Sequence, residues 1–501
     1  MLANKYTMKK LHFLFVFLFF FSCKYDTLEV PIEPIDPVLA SNYPTDIGNI
    51  LVNKCATSGC HNTLSRSYAG GLDFSTWDLM FDGGRNGTSV IPYSIENSYL
   101  LFSVNTDTLL GPVLLPTMSY LEEHLSSQEY TTLVNWIAAG APKKDGFIKF
   151  SDNPNRRKLY IVMQGCDKVA VVDEATKVIM RYINVGNNPN QIESPHQVRV
   201  SEDGQYWYVV FINGDILQKF RTSDDSLVGE VNITSAAWNT LVFSNSGDTG
   251  FVNGTVEGII AAVNLNSMTL QNLFTISYPH GGIVSPDGRY MYVTSQNGNF
   301  ITKVDLSTAP FYDNSTIVLV PGAIPSTSAG TYDPHEMTLT PDGTRYMVSC
   351  QASNEVRVFQ LSNDSLLAVI NVGQYPQEFT VMPSLNKVYI SCTEAYVDAN
   401  KKGLVYSIDC STYETDSIYP GFQPHGVVAD DNSKLVYVAN LNSDPTGPPP
   451  HHASSCGGRN GNLSIIDANT FTMYRKQLSD GNSFQYKCEL LPAPYFISLR
   501  E

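Results

Sequence analysis

The sequence predicts a small α-helical domain followed by an all-β, seven-bladed β-propeller. Two observations carry this prediction: helix signals around residues 44–144, and a strand unit that recurs through residues 150–501. The chain has 501 residues, enough for two or three domains, and its 43% hydrophobic content is enough for their cores. A charged fraction of 16% argues against general disorder.

The N-terminus has the pattern of an export signal. Lys9 and Lys10 precede the apolar run Leu11–Phe21. This run is shorter than the roughly 20 apolar residues that span a bilayer, and its length is typical of a secretory signal peptide. We therefore expect residues 1–22 to be removed on export.

Cys23 follows the small residue Ser22, an arrangement that resembles the lipobox of bacterial lipoproteins. The resemblance implies that Cys23 is lipidated and becomes the mature N-terminus, with residues 23–43 as a linker. The expected location is extracytoplasmic, anchored by lipid to a bacterial membrane, on its periplasmic or outer face. The alternative is an ordinary signal peptide in which Cys23 is incidental.

The sequence Cys55-Ala-Thr-Ser-Gly-Cys60-His61 carries the most specific chemistry. Two thiols followed by an imidazole attach haem c: the thiols add to the vinyl groups and the histidine ligates the iron. The usual spacer has two residues and here it has four. The alternatives are a zinc site and a disulfide between the two cysteines. We predict covalent haem c on Cys55 and Cys60, with His61 as the proximal ligand of the iron.

Two helices are predicted around this motif. Pro44-Thr45-Asp46 begins a helix whose apolar residues Ile47, Ile50 and Leu51 share one face and which leads into Cys55. Ser126-Ser127-Gln128-Glu129 is a capping box for a second helix that stops at Gly140. A helix at each end is the arrangement with which small cytochromes enclose a porphyrin.

Met118 is the predicted sixth ligand of the iron. It follows Pro116 on a segment that the proline keeps out of a helix, and a thioether opposite histidine suits an electron-transfer haem. The alternatives are Met80, His124 or no protein ligand.

Residues 45–142 resemble the cytochrome c domains that accompany larger modules in exported bacterial proteins. The matching features are the C-x4-CH motif, Gly70-Gly71-Leu72, Gly83–Gly87, Pro-Thr-Met118 and the closing Trp136–Ala141. Many relatives have Met-Pro where this chain has Pro-Thr-Met.

A repeat organises the rest of the chain. Ser194-Pro-His, Tyr278-Pro-His, Asp333-Pro-His and Gln423-Pro-His each begin a strand, and an Asp-Gly or Asp-Asn turn and an aromatic-rich strand follow. A period near 40 residues with four strands per unit is typical of a propeller. Seven inner strands are predicted, beginning near His196, Asn239, His280, His335, Gln377, His425 and Tyr495. The last of them completes the first blade and closes the ring.

The units resemble the YVTN family of bacterial propellers, which is related to the propeller of nitrous oxide reductase and to lactonase-like proteins. The matching residues are Tyr292-Val-Thr294, Val171-Val-Asp173, Asn184-Val-Gly186 and Asn371-Val-Gly373, with the Pro-His strands. The resemblance covers about residues 155 to 500 and implies the fold, on which many activities occur.

The four Pro-His histidines, His196, His280, His335 and His425, are expected at one mouth of the central channel because they occupy one position of the repeat. In nitrous oxide reductase, to which the resemblance extends, propeller histidines hold a copper cluster, and imidazole suits transition metals. The alternative is that each ring bonds the backbone of a neighbouring blade. Because four imidazoles spread unevenly over seven blades need not converge on one ion, the sequence argues against a catalytic metal there.

Six cysteines remain in the predicted propeller, and an even number in an exported protein permits disulfides. They are Cys166, Cys350, Cys392, Cys410, Cys456 and Cys488. Cys456 and Cys488 are the favoured pair because both lie near the long C-terminal insertion. In the same insertion, His451 and His452 are expected to be exposed loop residues.

The net charge is strongly negative. It is −16 for the whole chain, and removing residues 1–22, which hold Lys5, Lys9 and Lys10 and no acid, leaves −19. This charge excludes nucleic acid as an expected partner and favours a basic redox partner, with solubility as the alternative reason.

Three functions remain open. The first is a membrane-anchored electron-transfer protein with the propeller as binding platform. The second is a redox enzyme, or a propeller that binds a metal or small molecule, whose electrons pass through the haem. The third is a surface binding module. The sequence favours an electron carrier because the haem motif is specific, whereas the repeats show no nucleophile–base pair and no acid dyad.

Overall fold

The computed structural model describes residues 36–115, 117–118, 124–398, 400–452, 454–478 and 481–501. Pro37–Glu501 form one compact unit. The predicted signal peptide and the predicted lipidation site, Cys23, lie outside the described residues. Within the described ranges, no helix is long and apolar enough to cross a membrane.

The N-terminal part is built from short helices. Its α-helices are Pro37–Ala40, Thr45–Ile50, Trp77–Met80, Tyr99–Val104 and Ser127–Ala138, and its π-helical turn is Leu51–Cys55. The helix predicted after Pro44 is confirmed, with Ile47, Ile50 and Leu51 buried. The π-turn continues it to Cys55, so the buried face of this helix fixes where the motif begins.

The helix Ser127–Ala138 has the predicted capping box. The Ser126 hydroxyl accepts a hydrogen bond from the Glu129 backbone N–H at 3.3 Å, and the Glu129 carboxylate accepts one from the Ser126 N–H at 2.8 Å. Leu133, Trp136 and Ile137 are buried along one face. The cap sets the start of the helix and the apolar face sets its orientation against the core.

The remaining chain is a seven-bladed β-propeller, as the repeat predicts. The strands of blades 1 to 4, innermost first, are Pro494–Arg500, Lys158–Met163, Lys168–Asp173, Ile179–Asn184; Pro195–Val200, Tyr206–Phe211, Ile216–Arg221, Leu227–Asn232; Trp238–Phe243, Thr249–Gly254, Ile259–Asn264, Thr269–Thr275; Pro279–Val284, Tyr290–Ser295, Phe300–Asp305, Asn314–Val318. Those of blades 5 to 7 are Pro334–Leu339, Arg345–Cys350, Glu355–Gln360, Leu366–Asn371; Pro376–Met382, Lys387–Asp398, Lys401–Asp409, Thr415–Ile418; Pro424–Asp430, Leu435–Asn440, Asn460–Asp467, Thr472–Met473.

Blade 7 carries the insertion. Its third strand also pairs with Lys487–Pro492, which extends the blade, and Arg475–Gln477 forms a separate hairpin with Ser483–Gln485. Two 3-10 turns connect strands within a blade, Leu306–Thr308 in blade 4 and Pro383–Leu385 in blade 6.

The ring is closed by strands from the two ends of the propeller. Pro494–Arg500 pairs antiparallel with Lys158–Met163, from Lys158 opposite Arg500 to Met163 opposite Pro494. Each inner strand contacts the inner strand of the next blade, and the seventh contacts the first. The predicted blade count and the predicted closure by the C-terminal strand are confirmed.

A buried ion pair joins blade 1 to blade 2. The Lys158 Nζ lies 3.0 Å from the Asp225 carboxylate and donates a hydrogen bond to the Thr222 carbonyl at 2.7 Å. The Tyr160 hydroxyl donates to the same carboxylate at 2.8 Å. Both charged side chains are almost fully buried, so removing Asp225 would leave the Lys158 charge uncompensated, whereas Asp225 has a second partner in Arg181 at 3.8 Å.

The disulfide joins Cys166 to Cys456 and ties the insertion to blade 1. The pair favoured from the sequence, Cys456 with Cys488, is wrong. Cys488 is buried on the extra strand of blade 7, where its sulfur faces Gly87 of the N-terminal part. The partner Cys166 lies 290 residues from Cys456, and no local sequence signal connects them.

Deleting residues 495–501 is expected to destabilise the whole ring, because blade 1 loses its inner strand and Lys158–Met163 becomes an open edge. Ile497→Ala, a milder change at a buried position, should lower the free energy of unfolding by roughly 2–5 kcal/mol. Denaturant unfolding followed by circular dichroism measures both. Deletion of the exposed Glu501 alone is the control, and equal stability of the two truncated chains would contradict closure.

Candidate functional site

The cysteine–histidine motif forms one tight loop after the π-turn. The His61 backbone N–H donates to the Cys55 carbonyl at 3.0 Å, and the Cys60 N–H donates to the Thr57 carbonyl at 3.1 Å. The three predicted haem residues, Cys55, Cys60 and His61, are therefore held together by the backbone. Both cysteines are half-buried thiols and neither is part of a disulfide. The alternative of a disulfide between Cys55 and Cys60 is therefore not observed.

His61 is held in a neutral, ligand-competent form. Burial lowers its pKa, although the backbone carbonyls of Leu72 and Ala69 and the charge of Asp73 partly oppose the shift. Its ring meets the edge of Phe74 at a centroid distance of 5.2 Å. Its Nδ1 is buried and has no hydrogen-bond partner in the described structure. A neutral imidazole is the form that ligates metals.

Several large apolar side chains of the N-terminal part are unusually exposed. The most exposed in the N-terminal part are Leu64 at 90%, Tyr68 at 93%, Leu109 at 92% and Leu115 at 79%. Leu64 and Tyr68 directly follow the motif. Large exposed apolar side chains in one region are typical of a surface that another apolar body covers.

The candidate sixth ligands differ in environment. Met118 is 48% exposed on a turn, and its N–H donates to the Ser103 carbonyl, at the end of the helix Tyr99–Val104, at 2.7 Å. Met80 is buried in the hydrophobic core, where it fills space, and His124 is exposed. The thioether of Met118 is thus on the surface of the N-terminal part, on a different loop from His61.

The N-terminal part docks on blade 7 through the turn Gly83–Gly87. The carbonyls of Arg85 and Asn86 accept hydrogen bonds from the N–H groups of Lys487 and Glu489 at 3.1 and 3.0 Å. This turn thus pairs with the free edge of the strand Lys487–Pro492. A Cβ added at Gly87 would lie 2.5 Å from the Cys488 sulfur, so the approach requires glycine.

The insertion makes a second contact with the N-terminal part. The His452 ring stacks on Tyr99 at a centroid distance of 3.7 Å, and its pKa is lowered by burial to about 3. The N–H groups of His451 and His452 donate to the buried carboxylate of Glu489 at 3.0 and 2.9 Å. The expectation of an exposed loop is therefore right for His451 and wrong for His452, whose ring packs against a part of the chain distant in sequence.

The four Pro-His histidines converge in the propeller channel. Together with Tyr495 their rings form a closed circuit. The ring centroids of His196 and His280 are 6.0 Å apart, those of His280 and His335 3.9 Å, and those of His335 and His425 6.3 Å. Tyr495 completes the circuit, at 3.6 Å from His425 and 4.4 Å from His196. All four imidazoles are almost fully buried. Burial lowers each pKa, that of His335 to about 3, so the rings are neutral at pH 7.

The alternative of backbone bonding holds for two of the four rings. The Nδ1 atoms of His280 and His425 lie 3.1 Å from the carbonyls of His335 and Tyr495, each in the next blade. His196 and His335 instead use Nδ1 to contact the side-chain nitrogens of Gln164 and Gln296, at 3.0 and 3.2 Å. The Nε2 atoms of His335 and His425 are buried and have no hydrogen-bond partner among the described residues.

Two buried carboxyl groups lie beside these rings and were not singled out from the sequence. Glu336 and Glu378 hydrogen-bond to each other, and burial raises both pKa values, that of Glu378 to about 8. The positive charge of Arg199 partly offsets these shifts. The sequence did hold a signal, because both acids directly follow the residue after the repeat proline, in Pro-His-Glu336 and Pro-Gln-Glu378.

Comparison with known proteins identifies the fold. No protein-family model matches the chain, and no curated protein matches it. Among solved structures, a putative 6-phosphogluconolactonase from Bacteroides uniformis is 14% identical, with TM-score 0.52, covering 69% of this chain and 99% of its own. A putative 6-phosphogluconolactonase from Bacteroides fragilis is 12% identical, with TM-score 0.51, covering 70% and 99%. At this identity the likeness shows the propeller fold alone.

Substituting Gly87 should loosen the docking of the N-terminal part. Gly87→Ala and Gly146→Ala both place alanine at a positive φ, of 97° and 90°, but only the first adds a clash. We expect Gly87→Ala to lower the free energy of unfolding by about 1–3 kcal/mol more than Gly146→Ala does. Faster hydrogen exchange at residues 83–88 should accompany it. Equal losses in the two variants would contradict the close approach to Cys488.

Proposed function

We propose that this protein is an extracytoplasmic haem c protein that transfers electrons, anchored to a bacterial membrane through Cys23, with the propeller as a binding platform. The observation that carries the proposal is the loop Cys55–His61, in which two thiols and an adjacent neutral imidazole are closed by a backbone hydrogen bond.

The residues present fit haem c. Cys55 and Cys60 would each bond one vinyl group of the porphyrin, and His61 would ligate the iron. When bound, the haem would supply one-electron transfer at its iron. The edge contact of Phe74 restricts the orientation of the His61 ring, and the exposed side chains of Leu64 and Tyr68 offer apolar surface beside it. Met118 is the proposed second ligand that would bind the iron.

An oxidising compartment is supported by two features far apart in the sequence. One is the export signal in residues 1–22, and the other is the disulfide between Cys166 and Cys456. Disulfides persist in exported proteins and are rare in the cytosol, and c-type haem is also attached outside the cytoplasm. The acidic charge of the chain favours a basic redox partner protein.

A second candidate function is a redox enzyme, or a propeller that binds a metal or small molecule, that exchanges electrons with the haem. The buried histidines and carboxyl groups of the channel favour it. A surface binding module remains the third candidate, and no feature of the described residues favours it over the first two.

Covalent haem is tested by producing the full chain in a bacterial host with the haem-attachment machinery. Haem should stay with the denatured polypeptide of the wild type and be absent from the Cys55→Ala/Cys60→Ala double variant. Cys410→Ala, which removes a thiol outside the motif, is the control and should keep its haem. Wild-type protein that releases all its haem on denaturation would refute the proposal.

Met118→Ala should abolish the weak sulfur-to-iron absorption band of the oxidised protein and lower the reduction potential, because a thioether ligand raises it. Met80→Leu serves as the control for loss of a methionine from the core. Spectra and potentiometric titration measure both effects. An unchanged Met118→Ala spectrum would mean Met80, His124 or no protein ligand in that position.

A further inference from the structure

We propose that His335, His425 and Glu378 bind one divalent transition-metal ion inside the propeller channel. The three side chains are each almost fully buried, and their ligand atoms all lie within 4.8 Å of one another. This site goes beyond the proposed electron-transfer function and does not depend on the haem.

The two imidazoles present unused nitrogens. The Nε2 atoms of His335 and His425 are buried without a hydrogen-bond partner in the described parts of the chain. Leaving a buried polar atom unpaired costs roughly 1–3 kcal/mol, so two at one place call for an explanation. The His335 Nε2 lies 3.6 Å from a Glu378 carboxylate oxygen, too far for a hydrogen bond and close to the separation of two ligands on one metal.

The separation follows from coordination geometry. Bonds of about 2.1 Å from zinc to imidazole nitrogen or carboxylate oxygen place neighbouring ligand atoms roughly 3–3.5 Å apart in tetrahedral geometry. The His335 Nε2 and the Glu378 oxygen, which are 3.6 Å apart, are already close to this range. The other ligand atoms are at most 4.8 Å apart. Side-chain rotations that move these atoms by about 1 Å would bring them into the same range.

The protonation states are compatible with ligation. His425 donates its Nδ1 hydrogen to the Tyr495 carbonyl, which leaves the lone pair on Nε2. The Nδ1 of His335 faces the Gln296 amide at 3.2 Å, and the amide can present either its nitrogen or, turned over, its oxygen. The turned amide would accept the Nδ1 hydrogen and free the His335 Nε2 for the metal.

The donor atoms of the site suit a divalent transition metal. Glu378 supplies one carboxylate as ligand, and Glu336 would orient that carboxylate by donating a hydrogen bond to it from its protonated carboxyl group. Two imidazoles and one carboxylate are a ligand set that suits zinc and other first-row transition metals and leaves coordination positions open. His196 and His280 are outside this ligand set, which therefore uses two of the four Pro-His histidines.

Zinc titration of the full chain tests the site. All proteins carry Cys55→Ala and Cys60→Ala, so that the haem motif cannot bind zinc and a failure of the haem proposal does not affect the result. Isothermal titration should give one tight site. Glu378→Gln and His335→Ala should abolish it, and Glu336→Gln should weaken it by about 10–100-fold, as the loss of an orienting partner does.

His196→Ala is the matched control, because it removes a buried Pro-His imidazole outside the ligand set and should leave zinc affinity unchanged. Thermal midpoints with and without zinc give a second readout, since an ion that binds only the folded state raises the midpoint. Zinc should raise it in the background protein and in His196→Ala, and not in Glu378→Gln. Absence of tight binding in the background protein, or equal affinity in Glu378→Gln, would overturn the proposal.

Discussion

Closure of the ring by one strand from the far end of the chain is the constraint on which the other features depend. Without Pro494–Arg500, blade 1 would expose the full edge of Lys158–Met163 and the channel would lose Tyr495. The aromatic circuit inside the channel would then be open, and the carbonyl that holds the His425 ring would be gone. The geometry of the channel is thus a property of the closed ring and cannot exist in any single blade.

The N-terminal part is joined to this ring and does not form a separate core. Its residues Trp77, Met80 and Trp136 belong to the same hydrophobic cluster as Tyr160 and Trp207 of blades 1 and 2. The Gly83–Gly87 turn extends blade 7, and the insertion of that blade packs back on Tyr99. A haem on the Cys55–His61 loop would therefore sit on a segment whose position is fixed by several independent contacts. The boundary predicted between residues 144 and 150 remains a sequence prediction.

The sequence predicted what is encoded locally or by repetition. The helix beginning at Thr45, the capping box at Ser126 and all seven inner strands are visible as patterns within a few residues, or as copies of one pattern. The errors concern contacts between distant segments. Cys166 meets Cys456, and His452 meets Tyr99, because the insertion of blade 7 contacts both blade 1 and the N-terminal part, and no short-range pattern reports that. Glu336 and Glu378 lie on the inner strands of blades 5 and 6, and their meeting depends on the contact between those two strands.

The pairing of Pro494–Arg500 with Lys158–Met163 also governs when folding can finish. Blade 1 has only three of its strands until Pro494–Arg500 has been synthesised and can pair. Long-range pairing of this kind makes folding slow, because the loop between the partners must be ordered first. Until Pro494–Arg500 pairs with it, Lys158–Met163 is an unpaired edge, and the protein is most prone to aggregate in that interval.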